Sequence, residues 1–95
     1  MTTLHIEHAI TDYATWKEAF DRFADARLRA GVRGHQVRRP VDDPSYLYID
    51  LDFATEGEAA AFLGFLRANV WASASSAPAL VGAPQTRILT TLDES

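Results

Sequence analysis

The sequence of 95 residues predicts an α+β domain whose elements follow the order βαββαβ. Three stretches, 3–10, 46–53 and 85–92, alternate apolar and polar residues, which is typical of strands with one buried face. Two longer stretches, 13–30 and 56–70, repeat apolar residues at spacings of three and four, which is typical of helices with one buried face. Right-handed connections then give a four-stranded antiparallel sheet with both helices on one face.

The first strand runs almost directly into the first helix. His8 shares the face of the apolar residues of this strand, and Glu7 points to the other face. Thr11 or Asp12 can cap the helix, because a short side-chain oxygen accepts a free amide hydrogen of the first turn. Gly31 is expected to end the helix, since it tolerates a left-handed backbone. The predicted buried stripe of the helix is Tyr13, Trp16, Phe20, Phe23, Ala24 and Leu28.

The second half of the chain supplies the remaining elements. A polar second strand is predicted over 32–39, and a turn rich in proline and aspartate connects it to the third strand at 46–53. Thr55 and Glu58 form a capping box at the start of the second helix. Small residues and prolines predict a short helical extension and then a loop over 71–84. The predicted buried stripe of the second helix is Ala59, Phe62, Leu63, Leu66 and Val70.

Length and composition exclude several classes of function. The chain is long enough for one domain, spanning 1–95. Its net charge of −4 argues against a nucleic-acid partner, because such binding depends on basic residues that neutralise phosphates. The lack of cysteine excludes disulfides, thiolate nucleophiles and zinc–thiolate sites. Neither a signal peptide nor an apolar run of about 18 residues is evident, so we expect no membrane contact and a cytoplasmic protein.

One face of the predicted sheet has no helix to cover it. An antiparallel sheet can expose such a face to water, so a monomer is one interpretation. Pairing two of these faces would bury more surface and match opposite charges. We therefore predict a homodimer through the open sheet face. The residues predicted on this face are Glu7, Tyr48, Asp50, Asp52, Arg38 or Arg39, and Arg87.

Two motifs carry a resemblance to a known family. The first is Asp-Tyr-x-x-Trp-Lys-x-x-Phe, which begins at Asp12, and the second is Glu-x-x-Ala-x-x-Phe, which begins at Glu56. With the order of elements, they resemble the dimeric α/β-barrel superfamily over nearly the whole chain, and its antibiotic-biosynthesis-monooxygenase-like branch most closely. The resemblance implies a ferredoxin-like fold, a dimer whose sheets pair into a barrel, and a small-molecule site between helices and sheet. The superfamily includes cofactor-free monooxygenases, haem-degrading enzymes and aromatic-polyketide cyclases.

The resemblance does not extend to the haem-binding residues of the superfamily. Haem-degrading members carry a pocket asparagine on the first strand, and a tryptophan and a haem-ligating histidine on the second helix. His8 stands at the asparagine position and Phe65 at the tryptophan position. The ligand position falls near Ala74, and no histidine follows His35. The resemblance therefore implies no haem, and we predict no cofactor. The quinone-forming members use asparagine, tryptophan, tyrosine and arginine, a set that Asn69 and Trp71 match in part.

His8 is the candidate catalytic residue. A neutral imidazole facing the helices could take a proton from an activated carbon or from a phenol. Alternatively, His8 is a core histidine satisfied by a backbone carbonyl or by the Tyr13 hydroxyl. No metal site is predicted, because His5 and His8 point to opposite faces and a third ligand is not evident.

Aromatic and charged residues provide the other candidates. The aromatic residues either wall a pocket for a flat ligand or simply pack the core; they are Tyr13, Trp16, Phe20, Phe65 and Trp71. Asp50 and Asp52 either act as paired carboxylates or pair with arginines. Arg27 could extend to the mouth of the pocket.

These residues leave two interpretations of function. The first is a homodimer that binds a small molecule and lacks a complete catalytic set. The alternative is a cofactor-independent monooxygenase or cyclase that acts on a small aromatic or polyketide-like substrate, with His8 as the base.

Overall fold

The computed structural model describes residues 1–93, so the last two residues of the predicted domain 1–95 lie outside it. It confirms the βαββαβ order, with the four strands in one antiparallel sheet in the spatial order β2-β3-β1-β4. The strands are β1 (Thr2–Ile10), β2 (Gly34–Arg38), β3 (Tyr46–Phe53) and β4 (Leu80–Thr90). The helices are α1 (Tyr13–Arg22), α2 (Ala24–Ala30) and α3 (Glu56–Phe65), the last followed by a π-helical turn (Leu66–Val70).

The core lies between one face of the sheet and the helices. Burial alternates residue by residue along β1 and β3, as the period-two pattern predicted. The inward-facing side chains of both strands are apolar except for His8 and Thr2. The predicted stripe of the second helix is also confirmed, because Ala59, Phe62, Leu66 and Val70 are buried in this core and Leu63 is partly buried against it. Within residues 1–93, no helix has the length and apolar character needed to cross a membrane.

The prediction of one continuous helix over 13–30 is wrong. The structure interrupts it at Phe23, whose backbone leaves the helical region (φ −98°, ψ 14°). Asp12, one of the two predicted caps, does cap α1, since its carboxylate accepts the Thr15 amide hydrogen at 2.8 Å. Gly31 ends α2 in a left-handed conformation (φ 96°), as predicted.

The predicted stripe of the first helix is also partly wrong. Leu28 is 74% exposed, Tyr13 is 39% exposed and Ala24 lies at the surface, whereas Arg27 is only 8% exposed. Arg27 continues the four-three-four spacing of Trp16, Phe20 and Phe23, so it lies on the buried face despite its charge.

Strand β4 starts earlier than predicted. It begins at Leu80, in a stretch for which the glycine and proline residues had predicted a loop. Its pairing with β1 shifts register, since Glu7 pairs with Gln85 but Ala9 pairs with Val81. Three residues, 82–84, therefore lie opposite the single residue His8. Such a bulge accommodates glycine and proline within a strand, which explains the error.

Two glycine substitutions should change stability in opposite directions. At Gly31 an alanine would keep a positive φ, and its Cβ would lie 2.5 Å from Glu58 Oε2. We expect Gly31→Ala to lower the free energy of unfolding by about 1–2 kcal/mol. Gly64 lies inside α3 with open space around it, so Gly64→Ala should raise the same quantity by about 0.5–1 kcal/mol. Urea unfolding of both variants measures this, and equal effects would contradict the proposed role of Gly31.

Candidate functional site

A cavity of about 80 Å³ lies between the sheet and the helices. Its lining is almost entirely apolar and comes from β1, β3, the three helices, the π-helical turn and the segment that leads from this turn into β4. Three residues are exceptions, because they bring polar groups to the wall: His8, Arg27 and Ser76. An apolar pocket with few convergent polar groups is the usual form of a small-molecule site.

His8 is a buried residue that lines this cavity. The residue is 5% exposed, and its Nδ1 lies 3.0 Å from the Ala9 carbonyl oxygen. A carbonyl only accepts hydrogen bonds, so Nδ1 donates and Nε2 keeps its lone pair. No described residue hydrogen-bonds Nε2. Burial lowers the pKa of the imidazole below its usual value, and the Ala9 hydrogen bond offsets this only in part. The predicted Tyr13 hydroxyl partner is not used.

The β4 bulge lies opposite this histidine. In β1, His8 falls between the paired residues Glu7 and Ala9, where the register with β4 changes. Gly82 adopts a positive φ of 73° within the bulge. Bulges locally bend a strand and re-aim the neighbouring side chains, and they are frequent beside functional sites. The bulge therefore accompanies the only histidine that lines the cavity.

Helix α1 supplies one aromatic wall. Trp16 and Phe20 both line the cavity and stack with their ring centroids 4.7 Å apart. Tyr13 stacks on Trp16 at 5.9 Å but lies outside the cavity lining. Its position at the first turn of α1 turns the ring toward solvent. The predicted pocket residues of this helix are therefore separated, with two at the cavity and one at the surface.

The π-helical turn and the residue that follows it supply further lining residues, among them a second tryptophan. The last bond of the turn runs from the Trp71 amide to the Leu66 carbonyl at 2.8 Å. This wider turn brings Leu66, Val70 and Trp71 together at the cavity. Single π turns are frequent at functional sites. The sequence predicted Trp71 as a pocket residue, but the π turn that places it there has no clear sequence pattern.

Phe65 lies elsewhere. Its ring stacks on Phe62 at 5.6 Å and meets Phe23 edge-on at 6.3 Å. It borders a second, shallow cavity of about 250 Å³ between α2 and α3, which also contains Glu58. Phe62 and Leu66 take the inward positions of this helix, so Phe65 points away from the cavity that His8 lines.

Arg27 is a pocket residue whose burial the sequence did not predict. Its guanidinium carbon lies 3.6 Å above the centre of the Phe20 ring, and its Nη1 donates to the Phe20 carbonyl oxygen at 2.5 Å. Burial lowers the pKa of this group. The spacing from Trp16 and Phe20 could have revealed this placement, but the positive charge favoured a position at the pocket mouth.

The open face of the sheet carries a network of hydrogen-bonded polar side chains. His5 Nδ1 lies 2.7 Å from Asp50 Oδ1, and its Nε2 lies 2.9 Å from Glu7 Oε2. Arg38 donates to Asp50 at 2.6 Å, and Tyr46 donates to Glu7 at 2.9 Å. Asp50 thus pairs with an arginine, in accord with one of the two predicted roles.

The neighbouring Asp52 does not take part in that network. It accepts a hydrogen bond from the Thr3 hydroxyl at 2.7 Å. Among residues 1–93, no group of three or more histidine, cysteine, aspartate or glutamate side chains is arranged to hold a metal ion.

This network should make stability depend on pH. Burial lowers the pKa of His5, but the hydrogen bonds with Glu7 and Asp50 outweigh burial and raise it above 6.5. A raised pKa in the folded state stabilises the fold fully below the unfolded pKa, and this stabilisation is lost as pH rises through the folded value. We expect the stability difference between wild type and His5→Gln to shrink over that interval. Urea unfolding at a series of pH values measures it, with His35→Gln, an exposed histidine, as the control.

Comparison with known proteins identifies solved structures that share this fold. No family model matches the chain, and no curated protein matches it. SnoaB of Streptomyces nogalater, a cofactor-independent oxygenase, superposes with a TM-score of 0.70 at 19% identity, over 98% of this chain and 94% of its own. A protein of Nitrosomonas europaea described as a candidate antibiotic biosynthesis monooxygenase superposes with a TM-score of 0.72 at 18% identity, over 98% of this chain and 100% of its own.

A third solved structure is described as a dimer. This dimeric ferredoxin-like protein from an uncultured marine organism superposes with a TM-score of 0.68 at 8% identity, over 99% of this chain and 97% of its own. At these identities the similarity concerns the fold. The chain therefore has the ferredoxin-like fold of these solved structures, which is the fold that the sequence resemblance implied.

Proposed function

We propose that this protein binds a small aromatic molecule in the cavity between helices and sheet and oxygenates it without a cofactor, with His8 as the general base. The observation that carries this proposal is the His8 imidazole. Its Nδ1 is occupied by the Ala9 carbonyl, no described residue hydrogen-bonds its Nε2, and the residue lines an apolar cavity. A core histidine that serves packing alone would not need to border a cavity.

The chemistry that follows uses dioxygen as the only oxidant. Nε2 of His8 removes a proton from a methylene group that a carbonyl and an aromatic ring acidify. The resulting carbanion transfers its electrons to dioxygen, and a carbon–oxygen bond forms. The O–O bond of the peroxide then breaks while the same carbon loses its second hydrogen to the departing oxygen, so that a carbonyl group forms and hydroxide leaves. One dioxygen thus gives one carbonyl oxygen and one water, and the proton held by His8 returns to the departing oxygen.

The low pKa of His8 fits this role. A base that is neutral at physiological pH needs no prior deprotonation, and its charge develops only when it takes the substrate proton. The apolar lining excludes water that would compete for the carbanion. The aromatic rings of Trp16, Phe20 and Trp71 offer flat surfaces to an aromatic ligand.

One observation favours a second candidate, binding without turnover. No described carboxylate hydrogen-bonds His8, so among residues 1–93 only the Ala9 carbonyl is placed to stabilise the imidazolium that proton removal creates. The cavity is also small. An engineered cavity of about 150 Å³ holds benzene, so even a ligand with a single aromatic ring would have to displace part of the wall at 71–80.

We also propose that two copies pair through the open sheet face. Arg38, His5 and Asp50 form a charged network on this face, and Leu89 is exposed on the neighbouring strand β4. The solved structure described as a dimer has the same fold. Sedimentation of the wild type and of Leu89→Asp measures this, and a wild-type monomer at micromolar concentration would overturn it.

The proposed activity can be tested by filling the cavity. Ala19 is buried at its wall, and Ala14 lies exposed on the same helix. Oxygen uptake is measured with 2-coumaranone, whose methylene lies between an aromatic ring and a carbonyl, and with anthrone, whose methylene lies between two aromatic rings that are conjugated to a carbonyl. We expect turnover by the wild type and by Ala14→Leu, and its loss in Ala19→Leu. Binding without oxygen uptake would support the second candidate, and equal turnover by all three proteins would place the reaction outside the cavity.

A further inference from the structure

Arg27 is a buried cation without a counterion. Its side chain is 8% exposed and borders the cavity, and no carboxylate in residues 1–93 lies within ion-pairing distance of it. Buried charges in proteins are normally paired, because removing an ion from water is costly. Asp21 is the acid whose charge acts on Arg27, but Asp21 is exposed and pairs with Lys17 at 2.5 Å.

The contacts that Arg27 does make satisfy only part of its side chain. The guanidinium has five N–H donors, and one of them is used by the Phe20 carbonyl. Its planar face lies over the Phe20 ring, which is a favourable but weaker contact than an ion pair. The bond to the carbonyl also helps to join α1 and α2 across the break at Phe23. That structural role accounts for one donor and leaves the others free of any described acceptor.

We propose that the ligand of this cavity is an aromatic carboxylate, whose anionic group pairs with Arg27 and whose ring lies among the apolar lining. A carboxylate suits the remaining donors, because the planar guanidinium can bind its two oxygens in parallel. The ring would contact Trp16, Phe20 and Trp71. The rest of the lining is mostly apolar and offers few other polar partners to a ligand. This inference rests on the proposed function in one respect, namely that the cavity is a ligand site.

Pairing of the carboxylate with Arg27 would also fix the orientation of the ligand in the cavity. Arg27 comes from α2 and His8 from β1, so the two polar groups reach the wall from the helical layer and from the sheet. A carboxylate held by Arg27 fixes one end of a ligand and leaves the ring to extend toward other lining residues. In the proposed reaction, Arg27 would be a positioning residue and His8 the group that contacts the reacting atom.

Binding of three probes tests the assignment without any turnover. Benzoate carries both the ring and the charge, benzamide keeps the ring without the charge, and acetate keeps the charge without the ring. Both tryptophans of the chain line the cavity, so intrinsic fluorescence reports its occupancy directly. We expect benzoate to bind at least about tenfold more tightly than either other probe, as hydrogen bonds to a charged group commonly provide.

Matched variants assign that preference to Arg27. In Arg27→Met the preference of benzoate over benzamide should vanish while benzamide binding persists. Arg27→Lys, which keeps the charge but loses the planar fork, should retain part of it. Arg29→Met removes an exposed arginine of the same helix and should leave all three affinities unchanged. Thermal unfolding of Arg27→Met without ligand checks that the fold survives, and Arg27→Lys provides the test if it does not.

The outcomes separate this inference from the proposed reaction. Equal affinity of the wild type for benzoate and benzamide, or for benzoate and acetate, would overturn it. So would a benzoate preference that persists in Arg27→Met. A benzoate preference that depends on Arg27 in a protein that consumes no oxygen would support this inference and reject the oxygenation.

Discussion

Replacing His8 with alanine is expected to lower the rate of proton removal from a bound substrate by about 10²–10⁴-fold, the usual contribution of a positioned general base. The variant loses the only histidine that lines the cavity. The Ala9 carbonyl oxygen, which is the hydrogen-bond partner of this histidine, is too weak a base to take its place. The loss should appear as reduced oxygen uptake with 2-coumaranone at saturating concentration. Affinity should change less, because the aromatic walls that hold the ring remain.

The pH dependence provides a second measurement of the same prediction. Burial lowers the pKa of His8 below its usual value of 6.5, so more than half of the imidazole is already neutral at pH 6.5. The rate should therefore rise with pH through a value below 6.5 and then stay level. His35→Ala, which removes an exposed histidine outside the cavity lining, should reproduce the wild-type profile. Unchanged turnover in His8→Ala would remove His8 from the mechanism.

Replacing Phe53 with alanine is expected to lower the free energy of unfolding by about 3–5 kcal/mol, the usual cost of removing a buried phenylalanine ring. Phe53 is 0% exposed at the end of β3, and its ring meets Phe62 of α3 at 5.9 Å. The substitution would leave a void where the sheet contacts the helix. A domain of this size has limited stability, so the loss would remove much of it.

Urea unfolding followed by circular dichroism measures this loss. Leu28→Ala is the matched control, because Leu28 is a large apolar residue that the structure exposes to solvent. Its substitution should change the free energy of unfolding by less than about 0.5 kcal/mol. If Leu28→Ala costs as much as Phe53→Ala, the sequence-predicted stripe of the first helix is correct and the observed break at Phe23 is not.

The sequence predicted most of the fold because local periodicity reflects which side of each element is buried. The alternation of 46–53 gave the bounds of β3 without error, and the spacing of Ala59, Phe62 and Leu66 identified the inward face of α3. Local rules failed where glycine and proline occur inside a strand. The start of β4 at Leu80 was missed, because the pairing that stabilises residues 80–84 comes from β1 rather than from their own propensity.

The sequence by itself determined the order of elements, the inward direction of His8 and the lack of thiolate chemistry, since each depends on residue type and short spacing. Only the tertiary structure decided which candidates meet at one cavity. It placed Trp16, Phe20 and Trp71 beside His8, and directed Tyr13 and Phe65 elsewhere. The physical reason is that a cavity is bounded by residues far apart in sequence, whose common position depends on the helix break, the π turn and the bulge. The same packing buried Arg27, a charged residue that hydropathy alone assigns to the surface.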